Sequence, residues 1–226
     1  GGANLGELTS ARPKCMIDIR GQSLLQRLVT SLTNGGVRDI SVVRGAYKDA
    51  VALPGIETVD NDRYAETGEL FSLAAAREKI SGELVVAYGD VLFRDYILDG
   101  LLQTEGDIVV TVDAQGRKGD LVASSRPYTG DYFDDEPVRL AQMSPALPAE
   151  AVTGEWIGLA RFSAQGAQWL KEEIALMEAE GLLEKSDLPL LFTRLAAKHP
   201  VSVHFITSHW LDVDTLTDVA AARNFT

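Results

Sequence analysis

Short apolar runs rich in β-branched residues take turns along this chain with longer stretches whose apolar residues recur at helical spacing. The runs at 39–43, 57–59, 83–87, 107–112, 121–124 and 201–206 are short and continuous, as expected of strands covered on both faces. The helical pattern occupies 23–33, 70–80, 94–104, 164–179, 189–198 and 217–224. In the first of these stretches Leu24, Leu25, Leu28, Val29 and Leu32 make one apolar face. Gly21-Gln22-Ser23 opens it, and Asn34-Gly35-Gly36 closes it with residues that tolerate a positive φ. Strand–helix–strand order of this kind predicts an α/β fold: a doubly wound, mixed but mainly parallel sheet of Rossmann-like type.

Two stretches depart from the alternation. Residues 115–152 hold glycines, prolines, aromatics and acids, including the cluster from Asp131 to Glu136, with few long apolar runs. They are expected to form a small antiparallel insertion near the site. At the other end, the chain opens on Gly1-Gly2-Ala3 with no apolar strand ahead of it, where a doubly wound domain is expected to have its first strand. The expectation is a single domain over 1–226 whose numbering starts inside a longer polypeptide.

Composition narrows the function classes. Over 226 residues the net charge is −12, which argues against a broad nucleic-acid surface, since phosphate backbones select basic faces. A small anionic ligand needs only a few lysines, backbone amides and a metal ion. No apolar run approaches the roughly 20 residues of a membrane span, and no signal-peptide pattern opens the chain. One cysteine, Cys15, excludes an internal disulfide framework. A cytoplasmic protein with neither nucleic-acid nor membrane partners is expected.

Three segments carry chemistry. The first is Gly-Gly-Ala-Asn-Leu-Gly-Glu-Leu-Thr-Ser-Ala-Arg-Pro-Lys, whose glycines let backbone amides approach a phosphate and whose Lys14 follows Pro13 within reach of the same anion. It is not a Walker loop, and a glycine-rich start also suits a flexible terminus. The second is Val85-Val86-Ala87-Tyr88-Gly89-Asp90, an apolar run ending in glycine and a carboxylate. In a doubly wound sheet a strand's carboxyl end opens on the ligand crevice, where Asp90 could bind a hard cation; a turn or helix cap suits it equally. The third is Trp210-Leu211-Asp212-Val213-Asp214, which if extended puts Asp212 and Asp214 on one face, toward a metal, a cation or open solvent.

In order and spacing, Gly2, Thr9, Pro13, Lys14, Gly89, Asp90, Asp212 and Asp214 resemble the motif residues of the sugar-phosphate and cytidylyl nucleotidyltransferases. Asn4 departs from the arginine common in that loop. The text around it, together with Tyr64-Ala65-Glu66-Thr67-Gly68-Glu69-Leu70 and Ala87-Tyr88-Gly89-Asp90-Val91-Leu92-Phe93-Arg94, is similar to a narrower branch. That branch is the phosphonate cytidylyltransferase domain found fused to, or working beside, phosphoenolpyruvate mutase. The resemblance implies a Mg²⁺-dependent enzyme with the nucleotidyltransferase version of the fold, transferring CMP from CTP to 2-aminoethylphosphonate or 2-hydroxyethylphosphonate and releasing pyrophosphate.

By the same resemblance Lys14 is the catalytic cation, and Asp90 with Asp214 or Asp212 holds the metal. Gly2, Ala3, Asn4 and Leu5 cradle phosphates, while Asn61, Thr67, Tyr88 and Gly89 line the nucleotide. Glu155 and Trp156 are candidate acceptor-binding residues, a carboxylate and a ring that suit an ammonium group, although core packing suits Trp156 slightly better. Arg126 and Tyr128 are further candidates to grip the phosphonate. His199, His204 and His209 offer no ligand spacing. Alternative readings are a phosphocholine or sugar-1-phosphate nucleotidyltransferase, and a non-catalytic regulatory domain of the same fold.

Overall fold

The computed structural model describes residues 3–131 and 136–225. A kinked 3-10 turn, Ala3–Thr9, and a second, Lys14–Met16, precede a two-residue hairpin of β1 (Asp18–Ile19) and β2 (Gln22–Ser23). There follow α1 (Leu24–Asn34), β3 (Ile40–Arg44), β4 (Ile56–Asp60), α2 (Glu69–Ala75), β5 (Leu84–Ala87), β6 (Val91–Phe93) and α3 (Asp95–Gln103). The chain continues through β7 (Ile108–Asp113), β8 (Asp120–Ser124), β9 (Leu140–Ser144), β10 (Gly154–Phe162), α4 (Ala164–Ala179) and α5 (Leu188–Ala196). It closes with β11 (Val201–Ile206), β12 (Trp210–Asp212) and α6 (Leu216–Asn224).

Local rules explain most boundaries. Ser23 caps α1, its side chain accepting from the Gln26 amide, and Leu24, Leu25, Leu28 and Leu32 are buried as their spacing requires. Asp187 caps α5 in the same way with Pro189 in its first turn. The expected helix over 70–80 is shorter than its pattern: α2 ends at Ala75 and a separate turn covers Arg77–Lys79.

The main sheet runs β11-β7-β10-β8-β9, and β5 pairs with β10 as well. It is mixed: β11 lies parallel to β7, whereas β10 is antiparallel to β5, β7 and β8. It follows that β5, β7 and β11 all point the same way, with their carboxyl ends at one end of the sheet. The parallel pair β3–β4 and the antiparallel pair β6–β12 stand beside it. Within 115–152, β8 and β9 form an antiparallel pair that extends the sheet from the first half of β10. One core sets α4 and α5 against one face, centred on Phe162, Leu170, Ile174 and Phe192. The other packs Leu28, Leu32, Ile97 and Leu101 of α1 and α3 onto Val109, Ile157 and Leu159. Each such fully buried side chain is worth roughly 1.5–3 kcal/mol of transfer free energy.

Strand β10 is the longest of the strands that the periodicity misses, though every one of its nine residues is buried. It carries Gly154, Glu155, Gly158 and Arg161, residues that break an apolar run. At Gly158, where φ is +77°, the register with β7 shifts. A Cβ there would stand 2.3 Å from Cδ2 of Tyr88, so the bulge is what lets the Tyr88 ring lie against the strand. The Tyr88 amide donates to the Gly158 carbonyl at 2.8 Å. Among the described residues, no helix is long and apolar enough to cross a membrane.

Candidate active site

Four residues from three distant segments of the chain meet at one atom. The Lys14 Nζ lies 2.9 Å from Oδ2 of Asp90, 3.0 Å from Oδ1 of Asp212 and 2.5 Å from Oδ1 of Asp214. The lysine side chain is 12% exposed, while the carboxylates open progressively to solvent at 28%, 44% and 58%.

Each side chain is held by its own local device. Pro13, with φ −71°, leads into the turn that starts at Lys14. Asp90 follows β5 by three residues, and Gly89 beside it runs close to Cys15, where a Cβ would meet the cysteine Cβ at 3.7 Å. Asp212 closes β12, which is fastened to β6 by pairing with Val91. Asp214 stands one residue past the buried Val213, so the two late acids share a face as the extended reading requires. Thr215 and Asp218 form a capping box at the start of α6, and the Asp218 carboxylate also accepts from the Asp214 amide. Directly upstream of β12, Ser208 and His209 both adopt positive φ, the tight turn that returns the chain from β11.

Electrostatics follow from that packing. Burial works against the Lys14 charge, but Asp90, Asp214 and Asp212 outweigh it and hold the ammonium well above its ordinary range. Burial and the nearby Asp90 raise Asp212 despite the pull of Lys14. The Lys14 hydrogen bond lowers Asp214. Burial and Asp90 push the Cys15 thiol up to about 11, the inert direction. Among the described residues, no group of three or more His, Cys, Asp and Glu side chains is spaced to hold a metal as it stands. The three aspartates are spread around an ammonium instead. Their chemistry nonetheless fits a hard cation: the donors are carboxylate oxygens, and one ammonium leaves them with surplus negative charge.

The remaining expected site residues have varied surroundings. Gly2 lies outside the described residues. Ala3 and Asn4 begin the first turn. The Leu5 side chain is buried against Ile17, Leu24 and Val213, so only its backbone remains to meet a phosphate. Asn61 is 3% exposed and its side-chain polar atoms are engaged by the loop that follows it and by α2. Its amide donates to Thr67 and Ser72, and its carbonyl accepts from the Arg63 amide. Asn61 therefore orders the loop that presents Thr67, a correction to its expected place lining the nucleotide.

Glu155 and Trp156 also need correcting. The Glu155 carboxylate accepts from the amides of Lys118 and Gly119 at 2.8 and 2.7 Å, clamping the connection between β7 and β8. Trp156 is 2% exposed, donates its Nε1 proton to the Leu159 carbonyl and packs between Tyr88 and Phe192. Both are committed inside the fold on the central strand β10, and Trp156 takes the core role that its ring also suited. Arg126 and Tyr128 lie against edge strand β11, where Tyr128 meets Phe205 and Arg126 bonds to Glu136. They line a hollow of about 510 Å³ with Thr104, Glu105 and Ser202. That flank is two strands beyond β10, and the structure does not bring them to Lys14.

Asp120 is the residue that sequence reasoning passed over. It starts β8, paired with Trp156, and its Oδ2 accepts the Tyr88 phenol proton at 3.0 Å. Burial pushes its carboxyl up to about 6, with Asp187, Glu69 and Glu155 adding repulsion against the lowering effect of the Tyr88 bond. The signal was faint: a single acid opening a short strand, whose neighbours Glu69 and Asp187 come from the first turn of α2 and the cap of α5.

Residues 5–216 match the model of the MobA-like NTP transferase domain. The chain is 21% identical to a CTP:phosphoglutamine cytidylyltransferase of Campylobacter jejuni, the match covering 96% of this chain and 94% of that protein. It is 30% identical to the CMP-5'-(3-aminopropyl)phosphonate synthase of Streptomyces rubellomurinus over 56% of this chain and 19% of that longer protein. Among solved structures, the CTP:phosphocholine cytidylyltransferase of Streptococcus pneumoniae superposes with a TM-score of 0.75 at 17% identity, covering 99% of this chain and 93% of that one.

Proposed function

The chain belongs to the MobA-like NTP transferase family, and from that premise we propose that it transfers CMP from CTP to a small aminoalkyl phosphonate such as 2-aminoethylphosphonate. The observation that carries the reading is the convergence of Lys14 with Asp90, Asp212 and Asp214. A phosphonate oxygen of the acceptor attacks the α-phosphorus, forming the new P–O bond as the bond to the β-phosphate oxygen breaks and pyrophosphate leaves with its electron pair. No covalent enzyme intermediate is involved, so the work is alignment and charge stabilisation. Lys14 offsets negative charge as two anions close on one another. Backbone amides of the first turn receive phosphate oxygens, and Thr67, Tyr88 and Gly89 line the nucleotide. Asp90 with Asp214, and Asp212 beside them, would hold Mg²⁺, which when bound neutralises charge at the α-phosphate and the leaving group.

For the acceptor, the supporting feature is the pair Tyr88–Asp120, two residues along the chain from Asp90 on the tyrosine side. A half-buried carboxyl crowded by other carboxylates gains from a cationic partner, which an ammonium group supplies and a sugar hydroxyl does not. The second reading, phosphocholine as acceptor, shares that cation and is supported by the fold likeness to the pneumococcal enzyme.

Pyrophosphate release with CTP decides among them, using 2-aminoethylphosphonate, 2-hydroxyethylphosphonate, phosphocholine and glucose-1-phosphate as acceptors. The amine phosphonate is expected to give the highest kcat/KM. Asp120→Asn is expected to lower that value roughly tenfold to a hundredfold, the worth of one charge-assisted contact, while leaving the hydroxyl analogue nearly unchanged. If phosphocholine wins, the phosphonate reading fails and the cytidylyl chemistry stands. No release with any acceptor would favour a regulatory domain.

A further inference from the structure

A hollow of about 420 Å³ lies where α1, β6 and the start of α3 meet. Arg27 and Ser31, one turn apart on α1, border it, as do Arg94, Asp95 and Tyr96 at the start of α3 and Phe225 after α6. None of Lys14, Asp90, Asp212 and Asp214 lines it. Asp90 precedes β6 and Arg94 follows it, so Arg94 stands at the opposite end of that strand from the candidate active site. The chain carries 33 acids against 21 lysines and arginines. Even so, among the described residues neither Arg27 nor Arg94 forms an ion pair. Asp95 pairs with neither, and its place in the first turn of α3 is one where helix amides stabilise a carboxylate. Two guanidiniums against that one carboxylate leave the hollow net positive.

Both guanidiniums are held in place with donors to spare. The Arg27 Nη2 donates to the Ile19 carbonyl at 2.8 Å, while its buried Nε has no partner among the described residues. A guanidinium has several N–H donors, and this one uses a single bond. Arg94 rests over the Phe225 ring, with Cζ 5.6 Å from the ring centroid. It is the N-cap of α3, yet its side chain makes no capping bond. Two fixed forks beside one hollow suit an anion with several oxygens and a double charge, which a phosphate monoester is and a carboxylate is not. The volume exceeds what one inorganic anion fills and falls in the range of roughly 300–1,000 Å³ typical of small-molecule sites. Tyr96 offers a surface for the remainder of such a molecule. Its ring is half-exposed and is steadied by a 2.8 Å hydrogen bond between its hydroxyl and Nδ1 of His209. We propose that the hollow binds a small organic phosphate monoester, its phosphate between Arg27 and Arg94 and its organic body against the Tyr96 ring.

The test titrates phenyl phosphate and inorganic phosphate into nitrogen-15-labelled protein and follows the Arg27 Nε–H resonance, assigned by its loss in Arg27→Lys. That nitrogen is buried, so its proton exchanges slowly enough to be seen. Phenyl phosphate is expected to shift the resonance saturably with a Kd of about 1 mM or tighter, and inorganic phosphate to bind at least about tenfold more weakly. Arg94→Gln removes no side-chain cap and leaves the Arg27 bond to Ile19 in place, so the fold is expected to stand. The same variant is expected to weaken phenyl phosphate about tenfold or more, the loss of one charge-assisted contact. Calorimetry on wild type and Arg94→Gln reads that difference independently of the resonance. A phosphate bound beside Lys14 would neither shift the Arg27 resonance nor respond to Arg94. An Arg27 resonance that phenyl phosphate leaves in place overturns the inference, as does equal affinity in wild type and Arg94→Gln. Inorganic phosphate binding as tightly as phenyl phosphate overturns the assignment to an organic monoester.

Discussion

At the scale of single residues, Lys14 does two opposed things. Its charge holds three carboxylates together, and it sits at the centre of the proposed chemistry. Lys14→Ala is expected to lower kcat by far more than the tenfold that corresponds to about 1.4 kcal/mol, since the charge is needed most when two anions meet. Far-ultraviolet circular dichroism establishes that the variant is folded, and survival of kcat within tenfold removes the assigned role. The two late aspartates are separable in the same assay. Asp214→Asn is expected to raise the Mg²⁺ concentration for half-maximal rate more than Asp212→Asn, because Asp212 is the acid that burial disfavours in its charged form. A Mg²⁺ titration identical to wild type clears either residue.

These four residues were legible in the chain because each stands in a short motif with its own rationale: glycine-rich loop with lysine, strand end with glycine and aspartate, alternating acids. Asn61, Glu155 and Trp156 were not, and the reason is physical. Residue type says what a side chain can bond, while only the fold says what is already bonded to it. Asn61 meets Thr67, Ser72 and Arg63, and Glu155 meets two amides 36 and 37 residues away.

At the scale of elements, the contrast is between helices and β10. Helices such as 164–179 announce themselves by periodicity and capping, which are local. β10 is specified by its neighbours, and its glycines serve them. Gly154 lets the strand pass the Val112 side chain and the Asp113 carbonyl, where a Cβ would approach within 2.5 and 2.7 Å. Gly158→Ala meets both a positive φ and the Tyr88 ring, and is expected to cost about 2 kcal/mol or more in urea denaturation. Because Tyr88 holds Asp120, the same variant is expected to raise KM for the acceptor. Unchanged stability would mean that the bulge flattens without strain.

At the scale of the whole molecule, the acidic surface includes an ion cluster built on a buried carboxylate. Glu173 of α4 is 2% exposed and bonds Arg194 and Lys198, each at 2.5 Å. Burial opposes its charge, but the bonds from Lys198 and Arg194 prevail and lower its titration below the ordinary carboxylate range. A carboxylate lowered on folding adds stability above its unfolded pKa, about 4.3 for glutamate, and loses it as pH falls through the folded value. The Tm gap between wild type and Glu173→Gln is therefore expected to be wide at pH 7 and to close as pH is lowered from about 5. A gap independent of pH, by calorimetry, would assign the loss to packing instead.

The placing of β10 also governs when the molecule can come into being. β5 and β7 both precede it in the chain, and in the finished sheet they flank it without touching. On a ribosome adding about 5–20 residues per second, these two strands emerge seconds before the one that joins them. During that interval their apolar faces and open edges belong to no sheet. The nascent chain is most in need of a chaperone there, after residue 113 and before residue 162.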